Sequence, residues 1–465
     1  MTTTLTDPAA TTATTTPAPV GPFGPEHRAL TIGAVALVSL VAFEALAIAT
    51  AMPTVARDLD GLGLYGMAFG STLAASIVGM VVGGTWSDEG GPGRALYAGV
   101  GVFGAGLAVA GLAPTMTLLV LGRTIQGVGG GMQVVALYVV VGQAYPPELR
   151  PRLFSWFSAA WVVPAVVGPT IAGAIVQHAH WRIVFLGVPL LVAPATWLVR
   201  SGLRSRTWEV ADPTAPRRRG RVRPAIAVAA SALLLHQAVT LGDALGSGAV
   251  AIAVVVVGAT GIVLAARPLL PTGTMVAARG LPSVVLLRGV VAAAFFGGEV
   301  LIPLMLSERL GWSPTAAGTA LTIGALGWAA GSWAQGSVTD AARRRTYLRA
   351  GVGLLAAGIA GVPLALAPGA SGILAVLAWG VAGVGMGLIY PILAVLVLEL
   401  SPPREQGLNT SALQLSDALL TTMGLAVVGA LLATGEPTTG TFVVGLMLAA
   451  AVAASGMGVA ARSTS

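Results

Sequence analysis

The 465-residue chain contains no cysteine, and every basic residue in it is an arginine; there is no lysine. The missing cysteine excludes a disulfide framework and any thiolate metal site. Histidine is scarce, and His178 and His180 have no further ligand types beside them, so no metal site is expected. No glycine-rich run ends in Lys-Ser/Thr, no His/acid pair stands at catalytic spacing, and no sizeable polar segment supplies a soluble domain, so no enzyme is expected. Charge is scarce too. Only 9% of residues are charged, against about 25% in a soluble domain. What remains is apolar: 55% of residues are hydrophobic and the mean hydropathy is +0.85, the composition of an integral membrane protein. The 63 glycines fit, because small residues let membrane helices approach closely. A formal charge of +7 does not point to nucleic acid, since the arginines gather in loops between apolar runs.

A spanning helix needs about 20 mostly apolar residues. Candidate helices begin near 30, 66, 95, 116, 153, 181, 224, 248, 283, 314, 346, 371, 408 and 440, which makes fourteen. An even number puts both termini on one side. The side follows from arginine, which is enriched in cytoplasmic loops. With the N-terminus inside, the inner loops hold Arg28, Arg94, Arg150, Arg152, the dense run from Arg200 to Arg223, Arg267, Arg279, Arg343 to Arg345, Arg349, Arg404 and Arg462; the outer loops hold Arg57, Arg182 and Arg309. Both termini are therefore expected in the cytoplasm of a multi-pass protein of the inner or plasma membrane. Residues 1–29, rich in Thr, Pro and Ala, lack the pattern of a signal peptide and read as a disordered cytoplasmic tail.

The second part of the chain repeats the first. FEALAIATAMP and GEVLIPLMLSE place Glu44 and Glu299 alike in the first helix of their halves; QGVGGGM (126–132) matches AGVGMGL (382–388), and GTWSD (84–88) matches GSVTD (336–340). The expected organisation is a six-helix bundle over 30–200, an Arg-rich cytoplasmic loop over 201–223, two extra helices over 224–266, a cytoplasmic linker over 267–282 and a six-helix bundle over 283–461. Internal repeats of this kind place a substrate site at their interface, near the bilayer midplane. Glu44 lies ~21 Å along its helix at 1.5 Å per residue, too deep to reach either headgroup layer easily. Ionisable groups at such depth are costly and mark functional sites. Arg123 is deep as well and shares a helical face with Gln126 and Gln133. Arg288 sits near the start of its helix and reads as snorkelling to the headgroups. The 201–223 loop reads as a topology anchor attracted to anionic lipid.

These segments resemble the major facilitator superfamily, in particular its fourteen-helix drug:proton antiporter (DHA2-like) group, over nearly the whole chain after residue 30. LVLGRTIQGVGGG resembles that family's fourth-helix motif, with Arg123 at the arginine implicated in proton coupling; the second half has Trp379 at the equivalent place. VVGPTIAG resembles its antiporter motif, carried by Gly168, Pro169 and Gly173. GGTWSDEGGPGR resembles its cytoplasmic gate, with Gly84, Asp88 and Arg94, although Glu89 replaces an arginine; the second copy supplies Asp340 and Arg344. FEALAIATAMP resembles its first-helix motif, with Glu44 as the acid and Pro53 as the proline. The resemblance implies an all-α major facilitator fold of fourteen helices (6+2+6) with pseudo-twofold halves. It also implies a proton-coupled exporter of lipophilic compounds, cationic ones included, working by alternating access. Glu44, Glu299 and Arg123 are the expected proton-coupling residues. Gln126, Gln133, Trp161, Tyr390, Gln414 and Asp417 are the expected lining of the substrate cavity, with Asp417 either facing that cavity or pairing with a neighbour. A dedicated exporter of an endogenous lipid or antibiotic is the alternative. The expected partners are a small lipophilic substrate, protons and the bilayer, with no nucleic acid, no cofactor beyond the proton gradient, and a monomeric chain.

Overall fold

The structure, a computed structural model, describes residues 21–204, 206–211, 218–238, 248–338, 340–432 and 437–463. Among them the α-helices are α1 (Arg28–Asp58), α2 (Tyr65–Gly90), α3 (Pro92–Gly111), α4 (Met116–Ala144), α5 (Arg150–Ala159), α6 (Val162–His178), α7 (Arg182–Leu203), α8 (Val222–His236), α9 (Gly248–Ala266), α10 (Leu281–Leu310), α11 (Pro314–Gln335), α12 (Ala341–Gly361), α13 (Ile373–Glu399), α14 (Gln406–Leu432) and α15 (Thr439–Ser463), joined by short turns and single 3-10 turns, with no strand among the described residues. A helix begins near every expected start; the largest offset is at α12, expected at 346 and found at Ala341. Local chemistry sets several of these starts. Thr115 caps α4 by accepting from the Leu118 N–H, Ser313 caps α11 through Ala316, and Asp340 caps α12 through Arg343 at 2.8 Å. Gly311, at φ 67°, ends α10 in the left-handed conformation a glycine adopts without strain.

The fifth expected helix is broken into α5 and α6, and proline explains the break. Pro164 has no N–H to offer the Ala160 carbonyl one turn earlier. That carbonyl accepts from Ser39 Oγ of α1 instead, at 2.9 Å. Among the described residues twelve helical segments are long and apolar enough to cross a membrane, with α5 and α6 counted as one; α8 is shorter and α11 is not among the twelve. The chain is a multi-pass, all-helical membrane protein.

The packing repeats between halves. In the first half α4 packs on α2 and α3, α1 on α6 and α7; in the second half α13 packs on α11 and α12, α10 on α14 and α15. Glycine makes both central seams tight. A Cβ at Gly127 or Gly131 of α4 would collide with α2 backbone at Thr72 and Ser76, and one at Gly383 or Gly387 of α13 would collide with α11 backbone at Gly324 and Trp328. The helices α8 and α9 pack together and lie outside the α2–α14 seam, where Ala225, Val228, Ala232 and Ile262 meet Ile77, Val81, Leu415 and Leu419.

One end of the bundle carries most of the arginines and is called here the Arg-rich end. Part of the Arg200–Arg223 run is structural rather than lipid-facing: Arg206 donates to the Ala144 carbonyl at the end of α4, and Arg221 to the Leu269 carbonyl. Cations at helix C-termini satisfy the orphan carbonyls and offset the macrodipole. Residues 206–211 fold back under α2, where the Ala211 N–H donates to the Asp88 carbonyl at 2.7 Å. Residues 21–27, expected within a disordered tail, are folded. Thr31 Oγ1 donates to the Pro22 carbonyl, and His27 packs edge-on against Tyr145 with ring centroids 4.9 Å apart. Residues 1–20 lie outside the described residues.

Candidate functional site

Glu44 sits past the middle of α1 and Arg123 in the first third of α4, and the α1–α4 crossing brings them together. Arg123 Nη1 donates to Glu44 Oε1 at 2.7 Å and to Gln126 Oε1 at 2.6 Å, while Nε reaches the Ala68 carbonyl of α2 at 3.4 Å. Both side chains of the pair are almost fully buried, at 6% and 5% exposure. A buried pair of this kind holds its geometry because either charge alone, left in an apolar surround, is strongly disfavoured. Arg123 therefore does not snorkel. It is the counterion of Glu44, and Gln126 helps to hold it.

The second half repeats the acid but not its base. Trp379, at the position equivalent to Arg123, is fully buried and stacked on Phe295, with ring centroids 4.4 Å apart and planes inclined by 22°. Trp328 meets Phe295 edge-on at 5.4 Å and Tyr390 edge-on at 4.8 Å, so an aromatic cluster fills this part of the second half. Glu299 lies one turn beyond Phe295 on α10, half-buried, with no ion-pair or hydrogen-bond partner among the described residues. Of the three acids in the middle of the spans, Glu44, Glu299 and Asp417, it alone stands unpaired.

Arg288 was expected to snorkel; it does not. It is 4% exposed and turned into the second half. Its Nε donates to Asp417 Oδ2 of α14 at 2.7 Å, and its Nη1 to the Tyr390 carbonyl of α13 at 3.3 Å. The guanidinium lies 3.4 Å from the Tyr390 ring centroid, and the Tyr390 hydroxyl donates to Asp417 Oδ1 at 3.1 Å. A start near the helix end suggested escape to the headgroups, but an acid and an aromatic face on neighbouring helices hold the cation more strongly than distant water. Asp417 thus pairs with a neighbour, and its carboxylate side keeps 19% exposure. Tyr390 belongs to this cluster and is 9% exposed, so it offers little free stacking face.

The remaining expected residues divide into three groups. Gln133 and Gln414 are buried, each with an Oε1 that has no partner among the described residues. Trp161 is 47% exposed at the α5–α6 break, in no ring contact. Along α6, the buried described positions Pro164, Gly168 and Ala172 form a single stripe. A Cβ at Gly168 would meet Phe43 and Leu46 of α1 at an ordinary contact distance of 3.6 Å and one at Gly173 would meet open space, so neither glycine of the motif is required by a close helix approach. Pro169 lies within α6 between them.

The Arg-rich end is closed by contacts between the halves. Asp88, at the last turn of α2, accepts from the Gly407 N–H at 2.7 Å and the Leu408 N–H at 2.9 Å, at the N-terminus of α14. A carboxylate there meets both orphan donors and the positive end of the helix dipole. Gly84 lets the helices meet, since a Cβ there would collide with the Gly407 carbonyl. Ser155 of α5 donates to the Ser332 carbonyl of α11, and Gln335 donates back to Ser155 Oγ at 3.1 Å. Asp340 caps its own helix, Arg344 pairs with Glu399 at 2.6 Å, and Arg94 lies over the Trp86 ring at 5.2 Å. Toward the opposite end α14 loses its burial. The first part of α14, Gln406 to Ser416, is almost wholly buried, but beyond Leu419 its one buried residue among those described is Val428.

Two halves with the same helix seams, and ion pairs buried inside a bundle closed at one end, describe a carrier rather than a pore. A sequence profile described as the Major Facilitator Superfamily matches residues 32–425 and 284–463. The chain belongs to the major facilitator superfamily. This superfamily member is 25% identical over 401 residues to the multidrug transporter protein MdtP of Bacillus subtilis, covering 84% of this chain and 72% of that protein. It is 27% identical over 401 residues to a probable multidrug-efflux transporter of Mycobacterium tuberculosis, covering 83% of each. A shorter match, 30% identical over 154 residues, links it to Multidrug resistance protein 3 of Bacillus subtilis, of which it covers 30%. Among solved structures, the human organic anion transporter MFSD10 (TETRAN) aligns with TM-score 0.69 over 94% of this chain and 99% of that one, at 14% identity. A bacterial homologue of the iron transporter ferroportin in an outward-facing state aligns with TM-score 0.69 over 93% and 98%, also at 14% identity. At that identity the likeness establishes the fold alone. The chain is a major facilitator transporter with multidrug transporters among its relatives.

Sequence reasoning missed Arg288 as a site residue, and with it Phe295 and Phe296. The signal was present for Arg288: a membrane-embedded arginine and an unexpected aspartate lie in one half, and intramembrane charges pair with one another.

Proposed function

We propose that this transporter is a proton-coupled exporter of lipophilic compounds, including cations, that works by alternating access between its two halves. The observation that carries the reading is the unpaired Glu299. Glu44 and Asp417 are neutralised by Arg123 and Arg288, so Glu299 is the acid left to change charge. An isolated carboxylate in an apolar surround binds a proton or a cation in turn, because its bare ionised form is costly. Competition between the two at one site is antiport. The aromatic cluster of Phe295, Phe296 and Trp328 beside it favours flat, lipophilic cargo.

The arginine distribution orients the Arg-rich end to the cytoplasm. Closure there then makes this the outward-facing state, with Glu299 reached from outside. We assign the chain to the fourteen-helix group, with α8 and α9 as the extra pair between six-helix halves and α8 and α11 crossing the bilayer with the rest. It acts as a monomer in the plasma membrane, with its cargo, protons and lipid as partners. The name of its mycobacterial relative and that of MdtP support a drug-like cargo.

The test is transport in proteoliposomes with an imposed pH gradient and a fluorescent lipophilic cation. Glu299→Gln is expected to lose gradient-driven transport by about tenfold or more, and to bind the dye with an affinity that no longer changes with pH. Gradient-driven transport unchanged in Glu299→Gln would overturn the reading.

A further inference from the structure

We propose that residues 206–211, the stretch of chain just after α7, form a strap that favours closure of the Arg-rich end by fixing the two first-half residues that reach the start of α14. The strap acts on closure alone, for any cargo or coupling ion, and so goes beyond the exporter reading above.

Three anchors seat the strap on the first half. Arg206 donates to the Gly202 carbonyl of α7 at 3.3 Å and to the Ala144 carbonyl at the end of α4. Trp208 lies against Gly91, where α2 turns into α3. Gly91 has φ 81°, and a Cβ there would stand 2.7 Å from Trp208 Cδ1, so glycine is what leaves room for the indole. The Ala211 N–H donates to the Asp88 carbonyl at 2.7 Å.

The residues that hold the strap are the ones that join the halves. Asp88 accepts from Ala211 through its backbone carbonyl, and from Gly407 and Leu408 through its carboxylate. Gln143, in the last turn of α4, donates through Nε2 to the Glu209 carbonyl of the strap at 3.4 Å and to the Pro403 carbonyl of the second half at 2.9 Å. A side-chain amide has two N–H groups; with one turned to Glu209, the other is aimed at Pro403. Thr207, Trp208 and Glu209 also face a cleft of about 610 Å³ whose far wall includes Glu399, Pro403 and Gln406 of the second half.

The coupling follows from entropy. With the strap seated, the Gln143 amide and the last turn of α2 already stand in place to meet α14, so closing the end orders little more. With the strap free, closing must order both, at a cost in rotamer and backbone freedom. Seating of the strap and closure of the end therefore favour each other by the same factor. When α14 moves away, Gln143 and Asp88 each lose a partner and hold the strap less firmly.

The chain has no cysteine, and Arg152 of α5 and Arg404 before α14 are exposed on opposite halves. Spin labels at Arg152→Cys and Arg404→Cys report opening by pulsed dipolar spectroscopy on the full-length protein in nanodiscs. Trp208→Ala is expected to raise the open-to-closed ratio by about fivefold and to speed amide exchange at Ala211, while Trp208→Phe keeps the wild-type ratio. Ala211→Pro deletes the N–H without touching the indole and should shift the ratio in the same direction. A cycle separates positioning from plain packing. In a background of Gln143→Leu with Asp88→Asn, which weakens the cross-half groups themselves, Trp208→Ala should change the ratio by less than about twofold. A full fivefold rise in that background, or an unchanged ratio in both Trp208→Ala and Ala211→Pro, would overturn the proposal. Transport plays no part in this readout, so failure here leaves the exporter reading standing, and failure of Glu299→Gln to lose transport leaves the strap standing.

Discussion

Arg123 and Trp379 occupy equivalent positions in the two halves, yet Arg123 lies 2.7 Å from Glu44 while Trp379 is stacked on Phe295 and leaves Glu299 without a base. The repeat kept two acids at one depth and kept one counterion. That single difference gives the two acids different chemistry. Glu44 is fixed in a neutral pair; Glu299 is left to exchange partners.

Returning a base to the second half tests this directly. Trp379→Arg is expected to place a guanidinium against Glu299 as Arg123 stands against Glu44, and to flatten the pH dependence of dye transport. Retained pH dependence in a folded Trp379→Arg variant would show that the tryptophan does not set the asymmetry.

Glu44→Gln leaves Arg123 buried beside a neutral amide. Breaking a buried pair from one side costs about 3–5 kcal/mol, so a fall in melting temperature in detergent is expected. Glu44→Gln with Arg123→Gln should recover part of that loss, because no uncompensated charge remains. Equal melting temperatures for all three proteins would count against the pair as a structural element.

At the Arg-rich end, Asp88→Asn keeps the shape but weakens two charge-assisted bonds to the α14 N-terminus. A loss of about 1–2 kcal/mol is expected, which shifts the closed state toward open by roughly tenfold. Gly84→Val should act in the same direction through the Gly407 carbonyl. Cross-linking yield between cysteines placed at the ends of α2 and α14 reads both effects; a yield as high as in wild type would contradict them.

His27 supplies a pH effect outside the spans. Burial, with Arg206 nearby, holds its imidazolium below the usual range, whereas burial pushes the Tyr145 phenol up to about 12. The sign follows from linkage. A base whose folded pKa is depressed takes up its proton more readily when unfolded, so its stabilising contribution is present above the unfolded pKa, near 6.5, and is lost as pH falls below it. Docking of residues 21–27 should therefore weaken as pH falls below about 6.5. Amide exchange over α1's first turn measures it, and His27→Phe should remove the dependence.

Much was legible before folding. Scarce charge and long apolar runs fix a membrane chain because backbone polar groups in the bilayer must be satisfied within the protein, which long apolar helices do segment by segment. Arginine placement and the paired motifs marked the two halves, the Asp88 position that meets α14, and both first-helix acids. The α5–α6 break was also written in Pro164, although reading it required Ser39 to be seen taking the freed carbonyl. Arg288 is different. Its position near a helix start is equally compatible with snorkelling and burial, and the outcome depends on Asp417, which lies 129 residues away in the chain.

The sequence by itself determined a multi-pass helical transporter of two related halves, with acids and arginines deep in the spans, because hydropathy, repeat spacing and charge asymmetry are properties of single segments. Only the tertiary structure decided which charges pair. An ion pair forms over less than 3 Å, and which helix faces another at that range is set by glycine seams, helix rotation and side-chain volume across the bundle. Hence Glu44 found Arg123, Asp417 found Arg288, and Glu299 was left free.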